Sequence, residues 1–258
     1  MRKLVIAVLV VVGLAVAADF GAAAVAEYTL ASRLREQFGL ASDPAVRING
    51  VPFLTQALAG RYSAIDIWAT GLSVDPLHDV DVEATLHDVD APLAEVTAGN
   101  LRSVRAARVD GRVRIKDTDL GRAIGIEDLR IQQPSDREIE QLLPAGTPVG
   151  DRAPIRMVAT TDLAGQRTEI TGIGLITLTG ELVRITIVDV RLSRDDVGSV
   201  SLPREIRQLL LKTLSTDVKP GELPFAATPT GVSVQTGSVI VAGTANNVTM
   251  RQAGIGAG

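Results

Sequence analysis

Residues 48–72 read INGVPFLTQALAGRYSAIDIWATGL, and the hydrophobic period changes inside this one stretch. Pro52 suits the first position of a helix, because its missing N–H is not needed there. A short helix after it would carry Phe53, Leu54, Ala57 and Leu58 inward and stop at Gly60. From Tyr62 onward the period is two. Ile65, Ile67 and Ala69 share one face and Asp66, Trp68 and Thr70 the other, the mark of a strand with one dry and one wet side.

The same alternation recurs on the C-terminal side. Val80, Val82, Ala84 and Leu86 oppose Asp81, Glu83, Thr85 and His87, and Val109, Gly111, Val113 and Ile115 oppose Asp110, Arg112, Arg114 and Lys116. APIRMVATTDLAGQRTEITGIGLITLTGELVRITIVDVRLS, from Ala153, reads as three strands with turns at Ala164-Gly165 and Thr179-Gly180. VSVQTGSVIVAGTANNVTM adds two or three more. Helices are few. Ser135 and Glu138 form a capping-box pattern, and LPREIRQLLLKTLSTDV places Ile206, Leu209, Leu210, Thr213 and Leu214 on one helical face. The proline- and glycine-rich stretch 144–154 is a candidate separator between halves. The fold class is α+β: a long antiparallel sheet with a dry face covered by amphipathic helices. Aromatic residues make up only 3% of the chain, so aliphatic side chains line the space between sheet and helix. Periodicity leaves open whether that space is a filled core or an apolar groove.

The N-terminus, MRKLVIAVLVVVGLAVAADFGAAAVAEY, has a basic start and an uncharged run from Leu4 to Ala18, the pattern of an export signal. Ala15-Val16-Ala17 and Ala24-Val25-Ala26 both offer small residues for cleavage. The alternative is an uncleaved anchor, since a span needs ~20 mostly apolar residues. Asp19, the one charge between Leu4 and Ala26, would cost ~2.5–3.5 kcal/mol at the bilayer centre. The expected organisation is a signal peptide or membrane anchor over 1–26 and a single domain over 27–258. The mature part is exported on either reading. A helix with Leu30, Leu34 and Phe38 on one face follows and ends at Gly39.

Chemistry is sparse. The chain lacks cysteine and carries 26 Lys+Arg against 30 Asp+Glu, a formal net charge of −4. That excludes thiolate sites and disfavours nucleic acid, which wants a basic stripe. His78 and His87 lie among acids, but alternation puts Asp81 and His87 on a solvent face, so no metal site is expected. No G-x-S-x-G elbow, phosphate-binding loop or buried carboxylate pair occurs. No catalytic residue and no cofactor is assigned. Arg102, Arg105, Arg108, Arg112, Arg114 and Lys116 cluster. They offer either a patch for anionic lipid or a solvated strand exterior balanced by neighbouring acids; the acids Asp110, Asp117 and Asp119 among them favour the second.

Four segments in order, NGVPFLTQALAGRYSAIDIWATGL, DVDVEATLHDVDAPL, IKDTDLGRAIG and ELPFAATPTGVSVQTGSVIVAGTANNVTM, resemble the actinobacterial LmeA-like phospholipid-binding proteins, over about Glu27 to Met250. The family pattern has a glycine where this chain has Ala226. The resemblance implies a tubular lipid-binding fold like that of the bactericidal/permeability-increasing proteins, a highly curved antiparallel sheet wrapped around amphipathic helices. It implies a non-enzymatic phospholipid-binding protein of the cell envelope, with phosphatidylinositol or another anionic lipid as partner, contact with a membrane surface, and a supporting role in lipomannan-type lipoglycan or envelope lipid metabolism. On that reading lipid lies between the dry sheet face (Ile65, Ile67, Val80, Val82, Leu86, Val113, Ile115) and the helix with Leu209, Leu210 and Leu214. The short helix with Phe53, Leu54 and Leu58 serves as a lid. The alternatives are an anchored scaffold with a filled core that binds envelope glycosyltransferases, and a lipid or glycan hydrolase, which would need a buried acid or nucleophile in the groove.

Overall fold

The computed structural model describes residues 1–74, 77–92, 95, 104–126, 128–143, 150–163, 166–179, 182–194, 198–200, 204, 207, 208, 211, 215–218 and 227–249. The N-terminal half holds α1 (Arg2–Phe38), β1 (Ala45–Asn49), α2 (Phe53–Ala59), β2 (Arg61–Val74), β3 (Leu77–Asp90), β4 (Arg105–Lys116) and α3 (Asp117–Ile124). It is followed by β5 (Arg130–Gln132), α4 (Asp136–Leu142), β6 (Arg152–Leu163), β7 (Gln166–Thr179), β8 (Leu182–Arg194), β9 (Gly198–Val200), β10 (Thr216–Val218), β11 (Thr228–Gln235) and β12 (Ser238–Thr249). The fold is α+β, with two large sheets in the order β1-β2-β3-β4-β12-β11 and β10-β8-β7-β6-β5, β9 pairing with β8. Leu209, Leu210 and Leu214 lie outside the described residues, as do Arg102 and most of the stretch 144–154, while Arg204, Arg207, Gln208 and Leu211 of the same candidate helix are helical.

The chain divides into two compact units. The first is Met1–Thr70, Val82–Gly111 and Ala245–Gly258; the second is Gly71–Asp81 and Arg112–Thr244. In the first, β1 pairs antiparallel with β2, Ile48 opposite Ile65 and Val46 opposite Ile67. Alternation in β2 holds, with Ile65 and Ala69 buried and Ser63 and Thr70 exposed. In β3 the phase slips at Asp88, which takes a left-handed φ of 49°, a conformation a short polar side chain tolerates. The slip lets Leu86 and Val89 both be buried. α2 ends at Gly60, whose φ of 64° makes it a left-handed cap and whose N–H bonds back to Ala57 and Gln56.

In the second unit β6, β7 and β8 form a long antiparallel meander around Ile155, Met157, Ile173, Ile176 and Ile185, all buried. The expected capping box is present. The Ser135 N–H and hydroxyl both donate to Glu138 Oε2 at 2.9 Å. Glu138 then does more than cap, because its carboxylate is buried and also accepts from Arg156 at 2.5 and 2.6 Å and from Arg191 at 3.2 Å. Burial alone would push this carboxyl up. The hydrogen bonds from Arg156 and Ser135 overcome it and hold the group at about 2. Asp119, 1% exposed, accepts the backbone N–H groups of His78 and Asp79 and the guanidinium of Arg122. Asp117 likewise accepts the Ile131 N–H. The IKDTDLGRAIG segment is therefore a structural staple in this unit.

Candidate functional site

α1 is one unbroken helix, and it changes character at Asp19. Residues 2–18 are exposed throughout, while Asp19 is 7% exposed, and Ala31 and Leu34 are buried further on. Asp19 Oδ2 accepts the Phe53 N–H at 2.8 Å, and Oδ1 the Leu54 N–H at 2.7 Å. Eight residues later Glu27 Oε1 accepts the Ile48 N–H at 2.7 Å. The first acids of α1 thus fasten it to the β1–α2 segment. Asp19 neutralises free N–H groups at the start of α2, so it is a satisfied protein group and not a bare charge against lipid.

Between these fastenings and the sheet lies an apolar cavity of ≈ 510 Å³, within the ~300–1,000 Å³ typical of ligand sites. All of its lining residues belong to the first unit. α1 supplies two rows at four-residue spacing, Gly21-Val25-Thr29-Arg33 and Ala22-Ala26-Leu30-Leu34, which is one face of a helix. The row from Gly21 to Arg33 is about 18 Å long at 1.5 Å per residue. The opposite wall is Ile48, Ile65, Ile67 and Leu86, with Ala91 and Val104; α2 contributes Phe53, Leu54 and Ala57. Tyr62 completes it, its ring 6.2 Å from that of Phe53, and burial pushes its phenol pKa up. Val25 and Leu54 line the cavity yet remain 67% and 40% exposed, so the cavity opens beside them. Arg33 is a lining cation with its side chain half exposed and one weak ion pair, 3.4 Å to Glu36.

Five of the residues expected from the sequence to contact lipid meet here: Phe53, Leu54, Ile65, Ile67 and Leu86. Val82 is half-buried in β3 away from the lining. Val80, Val113 and Ile115 belong to the second unit, and Leu209, Leu210 and Leu214 are outside the described residues. Leu58, expected to face inward, is 84% exposed. The Asp19 bonds fix α2 so that Phe53 and Ala57 turn in and the Leu54–Leu58 edge turns out. The α1 face from Gly21 to Ala26 joins the site although its sequence has the character of a leader; the four-residue recurrence of small residues at 22 and 26 is the signal for it in the sequence.

Two members of the basic cluster are paired with acids of their own units. Arg108 pairs with Asp110 at 3.2 Å, and Lys116 with Asp79 at 2.7 Å and Asp81 at 3.4 Å. The Asp79 hydrogen bond raises the Lys116 pKa. His87 Nε2 lies 3.0 Å from Asp110. Among the described residues no group of three or more His, Asp or Glu is arranged to hold a metal ion.

An exposed apolar helix that continues into an aliphatic cavity agrees with a comparison of the sequence. The model of the LmeA-like phospholipid-binding family matches residues 17–244. The chain belongs to that family. The match begins two residues before Asp19, so the LmeA-like region includes the whole cavity-lining face of α1. No curated protein and no solved structure matches the chain.

Proposed function

We propose that the cavity of the first unit holds one acyl chain of an anionic phospholipid, that Arg33 meets its phosphate, and that the protein acts by binding and not by catalysis, as a membrane-anchored component of the exported cell envelope. The observation that carries this is the aliphatic cavity flanked by a half-free arginine. Its α1 wall of about 18 Å exceeds the ~15 Å depth of one leaflet, half of a ~30 Å hydrocarbon core. Each methylene withdrawn from water contributes ~0.8 kcal/mol. Among the described residues the lining includes no carboxylate, imidazole or serine, and the Thr29 hydroxyl donates to the Val25 carbonyl at 2.8 Å. Retention of α1 from Asp19 onward is supported by its load, which cleavage after Ala17 would spare. Cleavage after Ala26 would remove Asp19 from α2 and four residues from the cavity wall. Support of lipomannan-type lipoglycan metabolism is the envelope role this reading favours.

The test is native mass spectrometry of the full chain, extracted from a host membrane in detergent, with lipid analysis of the same sample. A stoichiometric phospholipid on a chain that retains residues 1–26 supports the proposal. A clean apo mass after incubation with phosphatidylinositol or phosphatidylglycerol vesicles overturns it.

A further inference from the structure

The exposed apolar run ahead of the Asp19 fastening is Leu4–Ala18, 15 residues, or about 22 Å of helix. A hydrocarbon core is ~30 Å thick. A span about 8 Å short forces the bilayer to thin or the apolar layer to extend onto whatever surrounds the next turns of helix. The two described segments that meet there are uncharged on their surface. Between residues 4 and 26 the only ionisable side chain is the buried Asp19, and residues 48–60 contain none. Phe20, Val51, Leu54 and Leu58 are 60%, 75%, 40% and 84% exposed, the last three carried beside Asp19 by the segment whose N–H groups it binds. The first charges flanking this segment are Arg47 and Arg61, both exposed, the sign that suits anionic head groups. The open edge of the cavity, Val25, stands six residues past Asp19, about 9 Å along α1. That is the level at which a ~30 Å core begun near Leu4 ends.

We infer that Phe20, Val51, Leu54 and Leu58 rest in the surface of the same bilayer that α1 enters, so that the cavity mouth faces the membrane and lipid passes sideways between leaflet and cavity. This rests on the anchored, lipid-binding reading above and adds where the lipid comes from. A lipid drawn up this way keeps its orientation: tails toward the anchor, head group toward Arg33, which is about 12 Å beyond Val25 along α1. A bilayer, and not a protein partner, is the occupant because the patch is continuous with the apolar span and its flanking charges, Arg47 and Arg61, have the sign that suits anionic head groups.

The chain contains no cysteine, so Leu58→Cys and Gln37→Cys each give one labelling site, the second about 25 Å further along α1 than Phe20. The full-length variants, labelled with an environment-sensitive fluorophore, go into vesicles of phosphatidylcholine and phosphatidylglycerol carrying lipids spin-labelled high on the acyl chain. Quenching at position 58 should exceed that at 37 severalfold. Equal quenching overturns the inference; so does a probe at 58 shielded from water but not quenched, which would mean that protein, a second copy included, covers the patch. Leu58→Asp should slow lipid transfer from vesicles roughly tenfold and leave the amount bound at equilibrium unchanged, since Leu58 does not line the cavity. An unchanged transfer rate counts against it. Lipid that co-purifies while position 58 stays unquenched sinks this inference alone. Quenching without bound lipid sinks the carrier reading alone.

Discussion

Asp19 holds Phe53 across 34 residues of chain: its carboxylate oxygens accept the backbone N–H groups of Phe53 at 2.8 Å and Leu54 at 2.7 Å. Replacing Asp19 with Ala leaves two donors at the start of α2 without partners, at ~1–3 kcal/mol for each that is not rehydrated. Asp19→Ala in detergent should therefore lose several degrees of thermal stability, at ~2–4 °C per kcal/mol for a chain of this size. It should also lose much of its bound lipid. Asp19→Asn keeps an acceptor oxygen and should fall between the two. Thermal melts with lipid quantification read both, and equal behaviour of Ala and wild type would show that the contact carries nothing.

Ala26 faces the cavity from α1. Ala26→Trp would fill space that is open in this structure, so it should be accommodated without the usual overpacking penalty of ~1–3 kcal/mol. The expected result is an unchanged or raised melting temperature together with loss of co-purifying phospholipid. Retained lipid on a folded Trp variant would move the binding site elsewhere.

Arg33 is the cation among the cavity-lining residues. Arg33→Gln should weaken binding of phosphatidylinositol or phosphatidylglycerol about fivefold, the loss expected for ~1 kcal/mol per basic contact, and leave phosphatidylcholine little changed. Competition between lipids of different head group, read by mass spectrometry, separates this from a general loss of affinity.

Glu138 makes a pH prediction for the second unit. Its carboxyl lies at about 2 in the folded protein against 4.5 for an unperturbed glutamate. A depressed carboxylate contributes stability that is complete above the unfolded value and lost as pH falls from about 4.5 through about 2, on the order of 3 kcal/mol in all. Urea midpoints should drop across that window. Glu138→Gln should flatten that part of the slope and lower stability by ~3 kcal/mol at neutral pH, because Arg156 is left without its partner. A variant with the same acid slope as wild type would reassign it to other carboxylates.

Local rules were enough for the strands, the Ser135–Glu138 cap, α2 between Pro52 and Gly60, and the apolar start of α1. Each depends on a neighbour within a few residues, so period and capping chemistry carry it. Ile65, Ile67 and Leu86 were legible in the same way, because alternation in β2 and β3 shows which face is dry, and Phe53 and Leu54 followed from the short helix that opens after Pro52. What stands opposite that face is not written in the period. Only tertiary structure decided that α1 covers the dry face of the first unit, that the space between them is a cavity, and that Leu58 points out while Phe53 points in. The cause lies in Asp19 and Glu27. As letters in an apolar helix they look like costs of insertion. Their partners are backbone N–H groups 34, 35 and 21 residues away, which every residue but proline possesses and no composition reveals.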